Sequence, residues 1–286
     1  MLFNENKLNL KSPIKWAGGK SFLLEKIEPY LDNSKNIFVE LFAGSMSLTL
    51  HFQPKKAIIN DISYPLINMW EIIKTHPEEL CIKLQKISDN DFNNPEKFKE
   101  IKNYFNENKD KELNLNQKIK LAAYFIYLNK RSFNGLYREN KNGQYNVPFR
   151  LYKNSKLFDE ENIKNLSKYF NENEITFSNK SFIDVNIPNN SFVYLDPPYY
   201  PSKTSSFTAY HKDGFDISKQ LLLKDLCQKL NNQNIKFLQS NAPCNEIYEL
   251  YEDFQYEPFF IKRSMRSAIK GKKDDDDDNN EIFIYN

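Results

Sequence analysis

At 286 residues, with 40% hydrophobic and 27% charged side chains, the chain is long enough for one large core plus a smaller module, but short for three independent domains. No stretch approaches the roughly 20 apolar residues of a membrane span, and the opening MLFNENKLNLKSP lacks the apolar core and cleavage site of a secretory leader. Cys81, Cys227 and Cys244 show no CxxC spacing and His51, His76 and His211 are scattered, so a cytoplasmic protein without disulfide framework, metal site or membrane partner is expected.

The polar leader gives way to Ile14-Lys15-Trp16-Ala17-Gly18-Gly19-Lys20, a compact loop, and then to SFLLEKIEPYL, whose apolar spacing predicts an amphipathic helix. Ile37 to Phe42 is a short apolar strand that ends in Ala43-Gly44-Ser45 ahead of the helical SLTLHF. Ala57 to Asn60 is a second buried strand, ending in Asp61 and followed by the helical ISYPLINMWEIIK. This alternation predicts an α/β sheet. From about Thr75 to Leu128 a polar, mostly helical stretch breaks the rhythm, and within it LAAYFIYLNK has the apolar density of a buried helix. Asn142-Gly143, flanked by strand-like Phe133 to Arg138 and Gln144 to Val147, predicts a hairpin with a type I′ turn.

Strand-like runs at Ile175 to Phe177, Ser191 to Leu195, Ile235 to Leu238 and Ile282 to Tyr285 resume the sheet, with LLLKDLCQKL as an intervening helix. The core is thus discontinuous in sequence, with 1–72 and 157–286 forming a catalytic domain and 73–156 an inserted module whose hairpin lies near 132–150. Net charge is only +2, yet Lys97 to Lys156 carries fourteen Lys or Arg against five Asp or Glu. Such a surplus among aromatics suits a nucleic-acid surface, although charge alone favours a solvated Lys-rich face. The acidic run Asp274 to Asp278 predicts a solvated loop.

The sharpest signal is Tyr194-Leu195-Asp196-Pro197-Pro198-Tyr199, an apolar strand running into an acid, two prolines and an aromatic. The prolines stiffen the backbone, so that a carboxylate, a carbonyl and a ring face can converge beyond the carboxyl end of a strand, where open α/β sheets bind ligands. Together with KWAGGK, FVELFAGS, Asp61, Tyr127 to Tyr137, Val147-Pro148-Phe149, Phe207 to His211 and Lys262-Arg263-Ser264, in that order, this segment resembles the Dam family of DNA adenine-N6 methyltransferases.

The resemblance implies a Rossmann-like methyltransferase sheet of seven strands with an inserted helical and hairpin recognition domain. It implies methyl transfer from S-adenosylmethionine, leaving S-adenosylhomocysteine, to adenine N6 in duplex DNA by base flipping, with GATC as the site. Asp196 and the Pro197 carbonyl would accept the two amine N–H bonds, Pro197 and Pro198 would together fix the backbone, and Tyr199 would stack on the extruded base. The cofactor residues implied are Trp16, Lys20, Phe42, Gly44, Asp61 and Asp196, with Asp61 on the ribose hydroxyls. For DNA, Arg138 and Lys15 would contact bases, Phe133 and Asn134 would enter the gap, Leu136 and Pro148 would pack against bases, and Arg150, Arg263, Arg266 and Lys270 would meet the site or its phosphates. Two departures stand out: Met46 where the family often has a second glycine, and Arg150-Leu151 where it tends to have glycine then arginine. No obligate protein partner is implied, and a monomer is expected. The alternatives are an adenine methyltransferase of structured RNA and a DNA-binding homologue impaired in catalysis.

Overall fold

The computed structural model describes residues 2–90, 93–152, 156–199, 215–260 and 280–286. Seven strands form one sheet in the order β3-β2-β1-β4-β5-β7-β6. They are β1 (Ile37–Glu40), β2 (Lys56–Asn60), β3 (Glu174–Ser178), β4 (Ser191–Leu195), β5 (Lys236–Asn241), β6 (Gln255–Phe260) and β7 (Asn280–Tyr285). The first three pair in parallel, with Val39 beside Ile58 and Ile58 beside Thr176, whereas β7 runs antiparallel to both β5 and β6. The expected mixed α/β sheet of seven strands is present.

Parallel strands buried on both faces read as continuous apolar runs rather than alternating ones. SFVYL of β4 is such a run, with every residue buried. Strand β6 was not foreseen, because QYEPFF carries Pro258 in its middle. A proline loses one ladder bond and is tolerated on an edge strand, and β6 is at the end of the sheet order.

The helices are α1 (Leu24–Ile27), α2 (Ser47–Phe52), α3 (Tyr64–Thr75), α4 (Pro77–Asn90), α5 (Pro95–Asn108), α6 (Leu115–Arg131), α7 (Glu160–Glu172), α8 (Ile217–Asn232) and α9 (Asn245–Leu250). Three of their starts are written in the sequence: Pro65 in the first turn of α3, the Asn94 cap of α5, and the reciprocal Asn114–Gln117 capping box of α6. The predicted SFLLEKIEPYL helix is shorter than expected. It keeps one turn as α1 and passes into a 3₁₀ turn at Glu28–Tyr30, where Pro29 withholds the amide a longer α-helix requires.

The described residues group into two compact units, one of residues 2–192 and one of 193–199, 215–260 and 280–286. In the first, α6 is buried almost all round from Leu121 to Asn129 and packs on α3, α4 and α5. A helix apolar on every side belongs inside a core, which is the arrangement LAAYFIYLNK predicts. In the second, Leu223, Cys227 and Leu230 of α8 are buried, as are Phe237 of β5 and Phe254. Burial pushes the Cys227 thiol up, so it is a packing residue and not a nucleophile.

The hairpin differs from expectation in two respects. Antiparallel bridges join Ser132 to Phe149 and Glu139 to Tyr145, but Phe133–Gly135 is a 3₁₀ turn rather than strand. At the tip, the Gly143 amide donates to the Asn140 carbonyl (2.8 Å) and that of Asn140 to the Gln144 carbonyl (2.9 Å), with Gly143 left-handed at φ +72°. Asn142 is not left-handed, so the loop is a three-residue turn with a glycine bulge and not a type I′ turn. Asn140 decides this by accepting the amides of Asn142 and Gln144 on its own side-chain oxygen.

Candidate functional site

Within the first unit, the chain leaves β1, turns through residues 41–46 and enters α2. Two residues in this turn are left-handed, Gly44 at φ +48° and Met46 at φ +57°. The Asp61 carboxylate, just past β2, fastens the turn: Oδ2 accepts from the Gly44 amide at 3.0 Å and Oδ1 from the Ser63 amide at 2.9 Å. The Ala43 amide donates to the Asn60 carbonyl (2.9 Å), and the Asn60 side chain donates to the Leu41 carbonyl (3.1 Å). Below it the buried Glu40 carboxylate accepts from Thr49 Oγ1 and ties the strand to α2. Sequence reading passed over Glu40, since its partner is set by the turn and not by any local pattern.

Gly44 is required for two reasons. Its φ is unfavourable for a residue with a side chain, and a Cβ there would come within 2.7 Å of Trp16 Cδ1. Met46 has a side chain at a similar φ, and strain of roughly 1 kcal/mol or more is offset by full burial of its thioether. The departure from the glycine pattern thus sets a side chain on left-handed backbone. Phe42 is partly exposed and leans on Phe182.

Trp16 lies between this corner and the base of the hairpin. Its ring stacks on Tyr137 at 5.4 Å and meets Phe125 edge-on at 6.2 Å. Lys20 is buried and its Nζ donates to the Gly18 carbonyl at 2.8 Å. Lys15 is exposed, but its backbone is held on both sides by Asn129, whose Oδ1 accepts from the Lys15 amide and whose Nδ2 donates to the carbonyls of Lys15 and Gly135, all at 2.8 Å.

The hairpin presents Phe133, Asn134, Pro148 and Arg150 exposed, with Leu136 and Arg138 partly so. Asn134 at φ +56° and Gly135 at φ +67° bend the 3₁₀ turn. Tyr152, which the sequence did not single out, clamps that turn: its hydroxyl accepts from the Asn134 amide at 2.9 Å and donates to the Ser132 carbonyl at 3.2 Å. The Arg150 guanidinium lies 5.0 Å from the Phe133 ring centre and 5.4 Å from that of Tyr152, a cation over two faces. Arg138 Nε donates to Asn146 Oδ1 across the hairpin at 2.8 Å. Underneath, Asn106 of α5 accepts the Tyr145 amide and donates to the Tyr145 carbonyl, and Lys109 pairs with Glu139 at 3.1 Å. Burial and the neighbouring Glu139 push the Tyr137 phenol well up. Arg263, Arg266 and Lys270 lie outside the described residues, as do Phe207 to His211 and the run Asp274 to Asp278.

In the second unit, β4 ends at Leu195 and delivers Asp196, Pro197, Pro198 and Tyr199. Pro197 is buried, and the other three are partly exposed. The Tyr199 hydroxyl donates to Glu281 Oε2 of β7 at 2.8 Å. Burial, with the charges of Asp196 and Glu281, holds the Tyr199 phenol well above the usual tyrosine range, so it is a neutral donor. Tyr194 and Ser240 share a buried hydroxyl bond at 2.8 Å. Among the described residues no group of three or more His, Cys, Asp or Glu is placed to hold a metal ion, and no helix is long and apolar enough to cross a membrane.

Comparison with known proteins shows the family. The family model for D12 class N6 adenine-specific DNA methyltransferase matches residues 16–265. The chain is 34% identical over 276 residues to the type II methyltransferase M1.LlaDCHI of Lactococcus lactis subsp. cremoris, covering 95% of each. It is 35% identical over 283 residues to the type II methyltransferase M.MjaIII of Methanocaldococcus jannaschii, covering 93% of this chain and 96% of the relative. It is 31% identical over 257 residues to the DNA adenine methylase of Escherichia coli (strain K12), covering 89% and 88%.

Proposed function

Because the chain belongs to the D12 class of N6 adenine-specific DNA methyltransferases, we propose that it methylates adenine in GATC within duplex DNA, taking the base out of the helix to do so. The observation that carries this reading is the Asp196-Pro197-Pro198-Tyr199 segment, delivered by a wholly buried strand in a chain that the family model matches from residue 16 to 265. An adenine amine is a weak nucleophile because its lone pair is conjugated with the ring. Asp196 and the Pro197 carbonyl accept its two N–H bonds, draw the nitrogen toward tetrahedral geometry and aim the lone pair at the methyl. Tyr199 stacks on the extruded base and recovers part of the stacking lost from the duplex.

S-adenosylmethionine supplies, when bound, a methyl on a sulfonium. The corner suits such a ligand: Gly44 carries no Cβ, Phe42 offers a partly exposed ring, and the Asp61 carboxylate that fastens the turn is an acceptor of the kind a ribose hydroxyl pairs with. Positioning by these groups contributes most of the acceleration, since the displacement needs no covalent enzyme intermediate. Trp16 and Lys20 act beside them, Trp16 by keeping the Gly44 turn closed. The recognition module, residues 73–156, comprises α4, α5, α6 and the hairpin; Arg138 and Lys15 read bases, Phe133 and Asn134 fill the gap, Leu136 and Pro148 pack on bases, and Arg150, with Arg263, Arg266 and Lys270, meets the backbone. The enzyme works inside the cell, as a monomer.

Transfer of tritiated methyl to duplexes carrying GATC, to the same duplexes with that site scrambled, and to structured RNA tests this reading. Label confined to GATC duplexes is expected. Label in RNA alone, or equal label in both duplexes, overturns it. Asp196→Ala should lower turnover by about 10²–10³-fold, the scale on which one preorganised polar group acts, with DNA affinity little changed; normal turnover removes Asp196 from the mechanism.

A further inference from the structure

Glu281 is the second residue of β7, and it is 1% exposed. It faces Phe259 across the β6–β7 ladder, in a strand whose next residues Ile282, Phe283 and Ile284 are all buried. A carboxylate in such a place costs several kcal/mol unless hydrogen bonds compensate, and an apolar side chain of similar volume is often the more stable choice. It accepts a hydrogen bond from the Tyr199 hydroxyl, at 2.8 Å and across 82 residues of sequence. Two prolines stiffen the backbone leading into Tyr199, but they leave its side-chain torsions open. A ring that is to stack on a base needs its plane fixed, and a hydroxyl anchored at the far end of the ring fixes it.

We propose that Glu281 is a positioning residue for methyl transfer: it holds the Tyr199 ring in the plane that receives the target adenine. The proposal rests on the reading that Tyr199 stacks on the base. The phenol stays protonated throughout the working pH range because burial and two nearby carboxylates oppose its ionisation, so Tyr199 donates and Glu281 accepts. A Gln at 281 keeps an acceptor oxygen of the same reach. A Leu does not.

The test is a double-mutant cycle on the full chain, read by single-turnover methylation of a duplex and by 2-aminopurine emission at the target position, with S-adenosylmethionine affinity and thermal midpoint as controls. Glu281→Leu should slow transfer about tenfold, as expected for loss of a charge-assisted bond, and should raise the emission as the ring ceases to stack in one plane. Glu281→Gln should recover most of the rate. Tyr199→Phe, which keeps the ring and removes only the hydroxyl, should match Glu281→Leu, and combining the two should slow transfer no further. If Glu281→Leu does not fold, Tyr199→Phe at the wild-type rate still overturns the proposal. Equal slowing by Glu281→Leu with and without the Tyr199 hydroxyl also overturns it and leaves Glu281 a packing residue. Tyr199→Ala separates the two levels: a wild-type rate there refutes the stacking role itself, whereas a large loss there with an unaffected Tyr199→Phe refutes only the part played by Glu281.

Discussion

The corner after β1 and the hairpin of residues 132–152 are held by opposite means. At the corner, a buried carboxylate accepts two backbone amides and an indole closes over a glycine. Side chains there fix the course of the backbone. On the hairpin the backbone is pinned from below by Asn106, Asn129 and Tyr152, while Phe133, Pro148 and Arg150 stay exposed. Substitutions at the corner should therefore change stability and cofactor affinity together, and substitutions on the hairpin surface should change DNA recognition alone.

The largest effect is expected from Gly44→Ala. A left-handed residue with a side chain costs about 1–2 kcal/mol, and the added Cβ also displaces Trp16, so both thermal midpoint and S-adenosylmethionine affinity should fall. An unchanged midpoint would show that the corner is not a rigid unit. Asp61→Ala should come next, lowering stability by about 2 kcal/mol through two orphaned amides and weakening cofactor binding in the same calorimetric titration. Cofactor affinity that survives while stability falls would assign Asp61 to the scaffold alone.

On the hairpin, Arg138→Ala should leave the midpoint in place and reduce discrimination at one base pair by about 1–3 kcal/mol, measured by competition between GATC and singly altered sites. Equal weakening at every site would make Arg138 a backbone contact. Phe133→Ala, an exposed position, should shift stability by less than about 0.5 kcal/mol and slow methylation more in paired DNA than at a mismatched target. Equal slowing on both substrates would assign the ring to packing against Arg150.

The smallest effect at neutral pH concerns the hairpin base. The Tyr137 phenol is raised by burial and by Glu139, and the Lys109 ammonium, though burial opposes its charge, is raised by Asp110 and Glu139. Both groups have folded pKa values above their unfolded ones, so their contribution is complete below pH about 10 and is lost as pH climbs through the folded values. Thermal midpoints measured from pH 8 to 11 should be flat at first and then fall. A midpoint that stays level through pH 11 would remove this network from the stability of the hairpin.

Local patterns made much of this molecule legible in its sequence. The β1 and β2 strands, α2, α3, α6 and the end of β4 at Leu195 were readable because period, capping and proline placement act over a few residues. The residues that were missed depend on distant partners. Glu281 stands just ahead of the strand expected at Ile282 to Tyr285 and carries no local signal until Tyr199 is beside it, and Tyr152 shows no role until Asn134 turns its amide toward it. The hairpin turn was misassigned for a subtler reason: Asn-Gly favours type I′, but Asn140 two residues earlier accepts the amides that select the longer loop.

Asn129 sets a schedule for the chain as it is made. Its carboxamide holds both the amide and the carbonyl of Lys15, 114 positions away in the chain, and the carbonyl of Gly135 only six away. At a synthesis rate of roughly 5–20 residues per second, the Lys15 segment waits on the order of 6–23 s for the helix that will capture it. The short-range half of the clasp closes quickly and the long-range half carries the entropy of a large loop. The leading strip, with Trp16 and Lys20, is thus made first and fastened late, after the helices beneath the hairpin have formed.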